Sequence, residues 1–475
     1  MHIVVCVRQD LAGELSPFDA CAYEAALRVD GAAVTLLSMG PPKTAELLSS
    51  LTRLGAARAV LLSDRAFSGA DTLATAYTLS LAIKKLSPDL IFCGRQTLIG
   101  DTGQVGPMLA AQCGAALVTS AMEIAVTADG VCCKTRDEGE KTAPFPAVVT
   151  VERINTLRLP SLRSKCGTVE TWDATALGAD VSRCGLVGSP TRVIESRENT
   201  AGRRHCRFIT PAELPAVIVD ARQKSAAAVT FNKAACPLAK VLIVGETPRA
   251  FAEAVGKTVL CLSEKTPDAL MAAIKAEDPD AVLFGTDAWS RRTAALVAGE
   301  NGLGLCADCT ALETDGETLF MIRPALSGSV IAKIKSNTRP AMATVRTTVQ
   351  SAAVTVGAGF GVKKEIDRVR AFAEKWDAAL AASRRLVDDG VLPYALQVGL
   401  TGKTVAPPVY IAVGISGAVH HIVGMQRAGT VIAINPDRKA PIFDYADFGI
   451  VADRFLILNK RAVSAAWRTQ LFYMV

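Results

Sequence analysis

The stretch "YIAVGISGAVHHIVGMQ", Tyr410 to Gln426, joins an apolar run, a Gly-Ile-Ser-Gly turn and a helical pattern. A β-rich run that breaks at glycines and continues as a helix is a strand–turn–helix unit, and its helix N-terminus is suited to an anion. Two of the chain's four histidines, His420 and His421, stand one turn past the bend, while His2 and His205 are scattered. Alone, the pair fits an ordinary polar helix start as well as a ligand contact. Three neighbouring segments add weight to the second reading. "AASRR" (381–385) ends a predicted amphipathic helix, "FAEKWDAALAASRRLVDDG", with Ser383 and two arginines. "LQVGLTGKTVAPPVY" (396–410) sets a turn with Thr401, Gly402 and Lys403 before the strand, and "AINPD" (433–437) closes the next one. Together these supply arginine, hydroxyl, imidazole and amide groups to one crevice at the strand ends.

Outward from this unit, apolar β-rich runs alternate with helical patterns along the whole chain. "IVVCV", "AVTLLSM", "AVLLSD" and "LIFCG" are separated by "DACAYEAALRV" and "TLATAYTLSLAIKKL". That alternation predicts βαβ units and a parallel sheet covered on both faces. An internal echo sharpens the prediction. "PDLIFCG" (88–94) recurs as "PDAVLFG" (279–285), "GAALVTSAMEI" as "GLGLCADCTALE", and "PAVVTV" (146–151) as "PAMATV" (340–345). Two related α/β domains therefore stand in tandem. Residues 185–238 read as a connecting arm and fusion joint, and the chain from about 351 onward is a different doubly wound unit.

Composition excludes several classes. The chain has 475 residues, half of them apolar and 21% charged, so it can bury large cores. A net charge of +6 without a basic block argues against a nucleic-acid partner. The N-terminus "MHIVVCVRQD" reads as a strand rather than a leader, and no apolar run spans a bilayer, so no membrane insertion is expected. Thirteen dispersed cysteines point to a reduced, cytoplasmic setting. Cys306 and Cys309 form a lone C-x-x-C without the second pair a zinc ribbon needs, since Cys132–Cys133 does not supply it, so they are expected in the core and no metal site is predicted.

"IGDTGQVGPMLAAQ" (99–112) puts Gly100, Gly103 and Gly106 between a strand and a helix. Glycines let a phosphate approach the backbone, and Thr102 adds a hydroxyl; a turn shaped only by packing is the alternative. No Gly-Lys-Ser/Thr follows, so this is not a Walker A loop. The matching place in the second copy, "TDAWSRRTAALVA", lacks the glycines, so only the first copy is expected to hold a nucleotide. "GAGFG" (357–361) is a weak dinucleotide signal, read here as lacking the strand before and the helix after.

At this point the motifs match a family. "VAPPVYIAVGISGAVHHIVGM", "AINPDRKAPIFDYADFGIVAD" and "RPAMATVR" resemble the alpha subunit of electron transfer flavoprotein. "SPFDACAYEAALRV", "FCGRQTLIGDTGQVGP" and "GLVGSPTRV" resemble its beta subunit. The resemblance covers nearly the whole chain, beta-like to about 218 and alpha-like from about 238, as a fusion of the two. It implies an α/β protein with two related adenine-nucleotide-hydrolase-like parallel-sheet domains and a C-terminal doubly wound FAD-binding domain. The expected layout is 1–184 beta-like, 185–238 joint, 239–350 a shortened alpha-like α/β domain, and 351–475 FAD-binding.

The resemblance also implies a site. Ser383 and Arg384 would meet the isoalloxazine ring, and Val398, Gly399, Leu400 and Thr401 its edge, with Thr401 near N5. Ser416, Gly417, Ala418, Val419, His420 and His421 would line the pyrophosphate turn and ring edge, with His421 near the C2 carbonyl as a donor or positive charge. Asn435 and Asp453 would lie toward the adenosine end. Cys6, Met39, Ser16, Pro17, Phe18 and Asp19 would join Gly100, Asp101, Thr102, Gly103, Gln104, Val105 and Gly106 around AMP or a second FAD. Small Gly103 leans toward the second FAD, as in the bifurcating subgroup, where NADH reduces that flavin and a swing of the C-terminal unit gates transfer. Two departures remove family contacts: Phe360 replaces the usual arginine between Gly359 and Gly361, and Leu400 replaces a glutamine beside Thr401.

Docking to a flavin dehydrogenase, of the acyl-CoA dehydrogenase type used in fatty acid β-oxidation, would use a loop bearing Leu162 in "INTLRLPSLRSK", a residue that could equally be packed. The leading expectation is an electron carrier rather than a substrate-transforming enzyme. An NADH-dependent bifurcating oxidoreductase with two FAD, and a non-redox adenine-nucleotide-binding module, are the alternatives.

Overall fold

The structure, a computed structural model, describes residues 1–10, 12–97, 99–152, 156–200, 202–223, 233–349 and 352–452. They divide into two compact units, one built on Met1–Arg197, Phe231–Leu326 and Val330–Arg346 and one on most of the remainder.

The first unit carries the sequence repeat. Its first copy has strands β1 (His2–Cys6), β2 (Ala33–Met39), β3 (Arg58–Leu62), β4 (Leu90–Gly94), β5 (Ala116–Val126), β6 (Gly130–Thr135), β7 (Gly139–Pro144), β8 (Ala147–Val151) and β9 (Glu170–Trp172). Four helices cross over: α1 (Pro17–Leu27), α2 (Thr44–Thr52), α3 (Thr72–Leu86) and α4 (Val105–Cys113). The sheet order is β7-β6-β5-β8-β4-β1-β2-β3-β9, parallel from β5 through β9, with β6 and β7 antiparallel at one edge. Alternate residues of the apolar strands feed opposite faces. Ile3, Val5, Leu36 and Phe92 lie in one core and Val4, Leu37, Ile91 and Val148 in the other, which is why the strands read as unbroken apolar runs.

The second copy repeats that centre strand for strand. Its parallel order is Gly256–Leu262, Leu238–Val244, Ala281–Phe284, Ala341–Val345, Leu305–Cys309, the equivalent of β2-β1-β4-β8-β5. The echo extends to a bulge. Ser120 (φ 57°) and Asp308 (φ 55°) interrupt equivalent strands, and their N–H groups donate to Thr150 Oγ1 at 3.0 Å and Thr344 Oγ1 at 2.8 Å. Among the described residues no counterpart of β3 pairs in this sheet, consistent with the shortened segment between "KVLIVGE" and "AVLFGT". Cys306 and Cys309 are buried on its edge strand, in the core. The copies share a further core, in which Leu73, Ala76 and Met108 pack with Leu242, Ala294 and Ala298. There a Cβ on Gly299 would lie 3.0 Å from Met108 Cα, so glycine lets the helix Ala288–Asn301 approach α4 a few tenths of an ångström more closely than alanine would.

The second unit is a six-stranded sheet, in order Arg207–Phe208, Phe448–Val451, Thr430–Asn435, Val409–Val413, Val354–Ala358, Ala379–Ala382, parallel throughout. Apolar clusters cover both faces, making it doubly wound. The strand order reverses between Val354–Ala358 and Val409–Val413, so the crevice opens at the carboxyl ends of these two strands.

Two sequence expectations are corrected. The stretch 372–390 is not one helix: the helix Ile366–Lys375 stops at Trp376, Asp377 turns left-handed (φ 49°), and Ala379–Ala382 is an edge strand. Its alanines favour a helix alone, but pairing with Val354–Ala358 overrides that preference. Ser383 therefore follows a strand and precedes a short helix, Arg384–Asp388. "GAGFG" does have its context, since it closes the strand Val354–Ala358 and leads through the turn Phe360–Glu365 into the helix Ile366–Lys375.

Candidate functional site

In the second unit the segments singled out by sequence converge. Ser383 follows Ala379–Ala382, and Gly414–Ala418 follows Val409–Val413. Val398 bridges Lys403 to close the loop 398–403. The glycine turn is held from beneath: Asn435 donates from Nδ2 to the Ile415 carbonyl at 2.9 Å, and Ser416 O accepts from Ile442 N at 3.1 Å. Gly417 has φ 95°, and a Cβ there would lie 2.1 Å from Ile442 N. The turn thus needs glycine, and Ser416 and Ala418 are left exposed at its rim. Asn435 spends its amide on this turn and on Asp437 N, so it shapes the crevice internally. Asp453 lies outside the described residues.

The helix Val419–Met425 rides on the 398–401 loop. Leu400 N donates to His420 O at 2.6 Å, and a Cβ on Gly399 would meet the same carbonyl at 2.5 Å. Thr401 is fixed twice: Gln397 Nε2 donates to its Oγ1 at 2.7 Å and Tyr394 Oη to its carbonyl at 2.6 Å. With its oxygen accepting, the Thr401 hydroxyl keeps its proton to donate. Leu400 is buried, and the amide at this edge comes from Gln397 instead. Sequence reading assigned no part to Gln397 or Tyr394.

Two features set the charge of the crevice. Arg384 pairs with Asp388 at 3.3 Å, and burial together with Arg384 lowers the pKa of half-buried His420. Burial also drives His421 down to about 4, against the pull of the Val398 carbonyl, so His421 is neutral at ordinary pH. Of the donor and the positive charge expected of it, only the donor is available. Phe360, which takes the place of the usual arginine, carries the Arg385 guanidinium 3.8 Å from its ring centroid, so a cation returns by stacking. No sequence pattern signals this, because the pair joins a turn and a helix 25 positions apart in the chain.

The residues present fit an anionic, hydrogen-bonding ligand. Ser383 Oγ and His421 Nδ1 are buried without hydrogen-bond partners among the described residues.

The first unit offers a second crevice at its own reversal, between β1 and β4. Cys6 and Met39 end β1 and β2, Ser16 and Pro17 open α1, and Gly100–Gly106 links β4 to α4, so the expected residues gather at one edge of the sheet. Asp19 is buried at the centre and accepts from Arg8 N at 2.9 Å and Gly94 N at 3.1 Å. Burial nevertheless raises its pKa to about 7. Phe18 is fully buried beneath the Arg95 guanidinium, whose Nε lies 2.6 Å from Glu152. In the loop, Asp101 (φ 52°) is raised to about 6 by burial, opposed by Arg323, which donates to its carbonyl at 3.2 Å. Gly103 has φ 65°, Val105 begins α4, and a Cβ on Gly106 would strike Thr150 at 2.4 Å. Gln104 forms no side-chain cap, and its Nε2 has no partner among the described residues. In the second copy Asp287 caps the helix Ala288–Asn301, accepting from Ser290 N at 3.0 Å, so a carboxylate stands at that helix N-terminus.

Leu162 is fully exposed, with Leu159 nearly so, on a loop pinned by Arg158–Glu24 at 3.0 Å and by Ser49–Gly167 at 2.7 Å. It is not a packed residue.

A chain with two related sheet domains and a doubly wound ligand crevice has the architecture of a nucleotide-binding α/β protein, and comparison makes this specific. Residues 3–177 and 252–380, more than half of the chain, match the electron transfer flavoprotein domain. Residues 348–426 match the electron transfer flavoprotein FAD-binding domain. The chain belongs to the electron transfer flavoprotein family, with beta-like and alpha-like parts fused. It is 40% identical over 206 residues to the electron transfer flavoprotein subunit beta of Megasphaera elsdenii, covering 39% of this chain and 76% of that protein. To subunit alpha of Paracoccus denitrificans it is 41% identical over 170 residues, 36% of this chain and 51% of that one. It is also similar to the LctC subunit of lactate dehydrogenase (NAD(+),ferredoxin) from Acetobacterium woodii, 36% identical over 228 residues, 38% of this chain and 54% of that protein. Among the described residues no helix is long and apolar enough to cross a membrane.

Proposed function

We propose that the chain is an electron carrier that takes electrons from a flavin dehydrogenase, of the acyl-CoA dehydrogenase type, and passes them to a further acceptor. The carrying observation is the crevice of the second unit, where Ser383 Oγ and His421 Nδ1 await partners within the segment matching the FAD-binding domain. In this reading Ser383, Arg384, Val398–Thr401 and Ser416–His421 hold FAD. Thr401 donates to the ring, Arg384 and the stacked Arg385 supply positive charge, and neutral His421 supplies a donor. FAD bound there brings the redox chemistry; the protein tunes it by charge and hydrogen bonding. Exposed Leu162, held on its pinned loop, supports docking of the dehydrogenase.

In the first unit, Ser16–Asp19, Cys6, Met39 and Gly100–Gly106 form the place for AMP or a second FAD. A second reading, electron bifurcation from NADH with FAD in both places, is favoured by small Gly103 and by the NAD(+) and ferredoxin in the name of the Acetobacterium woodii relative. Nucleotides released on denaturation separate the readings. One FAD with AMP supports the carrier, and two FAD with bleaching by NADH support bifurcation. No flavin after incubation with excess FAD refutes both and leaves a non-redox nucleotide-binding module.

A further inference from the structure

The glycines of "GAGFG" and the inner face of His421 meet at a residue to which sequence gave no role, Tyr410. It lies on the central strand Val409–Val413 and is fully buried. Its Oη is 2.9 Å from His421 Nε2, its one hydrogen-bond partner among the described residues. A Cβ on Gly357 would lie 2.1 Å from the Tyr410 hydroxyl, so the first glycine of the motif makes room for the phenol group. Gly359 serves the strand end beside it, since a Cβ there would meet the Gly414 carbonyl at 2.0 Å. The fold thus spends a glycine in a sheet interior, an unfavourable place, to seat this one hydroxyl against this one imidazole.

The direction of that hydrogen bond decides the tautomer. If Nε2 carried the proton and donated, the phenol proton would be buried without an acceptor, and Nδ1 would be an acceptor without a donor. If the phenol donates, both Tyr410 and Nε2 are satisfied, and Nδ1–H is left as a donor beside the Val398 carbonyl, which pulls on it without a hydrogen bond of good geometry. Burial makes the ionised ring the poorest alternative. The ring lies between Tyr410 and the 398–401 loop, where the Val398 carbonyl neighbours it and the Gly399 Cβ position is 3.3 Å from His421 Cα. We propose that Tyr410 is a positioning residue whose phenol donates to His421 Nε2, fixing the imidazole as the neutral Nδ1–H tautomer, whose donor stands beside the Val398 carbonyl and is shared with an acceptor on the ligand of this crevice. Positive charge is then the task of the arginines and directed donation that of His421. This rests on the flavin reading for the identity of the ligand but not for the tautomer.

The test is a long-range ¹⁵N–¹H correlation spectrum of the histidine side chains in the full chain, with the cofactor removed and restored, for wild type and Tyr410→Phe. The expected wild-type signal for His421 is Nδ1–H in both states. Tyr410→Phe should shift the signal toward Nε2–H and make the flavin potential more negative, with flavin content per chain unchanged. An Nε2–H signal in the wild type overturns the proposal even if the variant does not fold, and so does a Tyr410→Phe protein with unchanged tautomer and potential. Failure to bind FAD refutes the flavin reading instead, and leaves the tautomer in the cofactor-free chain to be judged separately.

Discussion

Gly424 sets two rules against each other. It lies in the helix Val419–Met425, where replacing glycine by alanine ordinarily stabilises by about 1 kcal/mol. A Cβ at this position would, however, lie 2.2 Å from Gly399 N, 2.5 Å from Gly399 Cα and 2.9 Å from Val398 Cγ1. Carbon contacts settle near ~3.5 Å, so helix and loop must separate by roughly 1 Å. The nearest atoms are backbone, and overpacking of this kind costs about 1–3 kcal/mol. The separation also strains the Leu400 N to His420 O hydrogen bond, adding ~1 kcal/mol. Gly424→Ala should therefore destabilise the protein by about 1–3 kcal/mol net of the helix gain. Because the loop that moves is the proposed flavin edge, FAD affinity should fall roughly tenfold or more, each factor of ten being about 1.4 kcal/mol. Denaturant unfolding followed by flavin fluorescence, with FAD titration of the cofactor-free protein, measures both. A Gly424→Ala protein that is ~1 kcal/mol more stable and binds FAD like wild type would refute the reasoning.

Three further outcomes follow from the site geometry. The Asp19 carboxyl, raised to about 7 by burial, binds its proton in the folded state at pH values where the unfolded chain, with a pKa of ~3.9, has lost it. Its contribution to stability should therefore fall as pH rises from about 4 to about 7, and Asp19→Ala should flatten that part of the denaturant-midpoint profile. Burial would raise Glu24, but hydrogen bonds from Arg158 and Arg28 outweigh it and hold it at about 2, so its stabilisation is full above ~4.5 and is lost as pH falls toward 2. Arg158→Ala should cost ~1–2 kcal/mol at neutral pH, less in acid, because Arg158 itself is partly exposed. Leu162→Ala, at a fully exposed position, should leave unfolding unchanged while slowing electron delivery from an acyl-CoA dehydrogenase in stopped-flow mixing; unchanged rates would remove the loop from the docking account.

Much of the fold was legible because it is written locally. The strand Leu90–Gly94 and its counterpart Ala281–Phe284 are apolar runs, each with Pro-Asp just before and Gly at the end, and both are buried. The 372–390 segment was misread for the converse reason. Ala379–Ala382 has no strand signal of its own and is extended only because Val354–Ala358 offers it an edge. The site's backbone was visible through its glycines, whereas its side-chain partnerships were not. Tyr410 with His421, Gln397 with Thr401 and Arg385 with Phe360 depend on how strand, helix and loop pack in space, and no periodicity records that.

The core shared by the two copies carries a consequence for assembly. Where such halves are separate polypeptides, burying Met108 against the Gly299 helix is a second-order event that dilution opposes. Joined by one chain, the halves find each other at a local concentration set by the connecting residues, independent of how much protein is present. Their stoichiometry is fixed at synthesis. Unequal production of the halves cannot leave that apolar face bare.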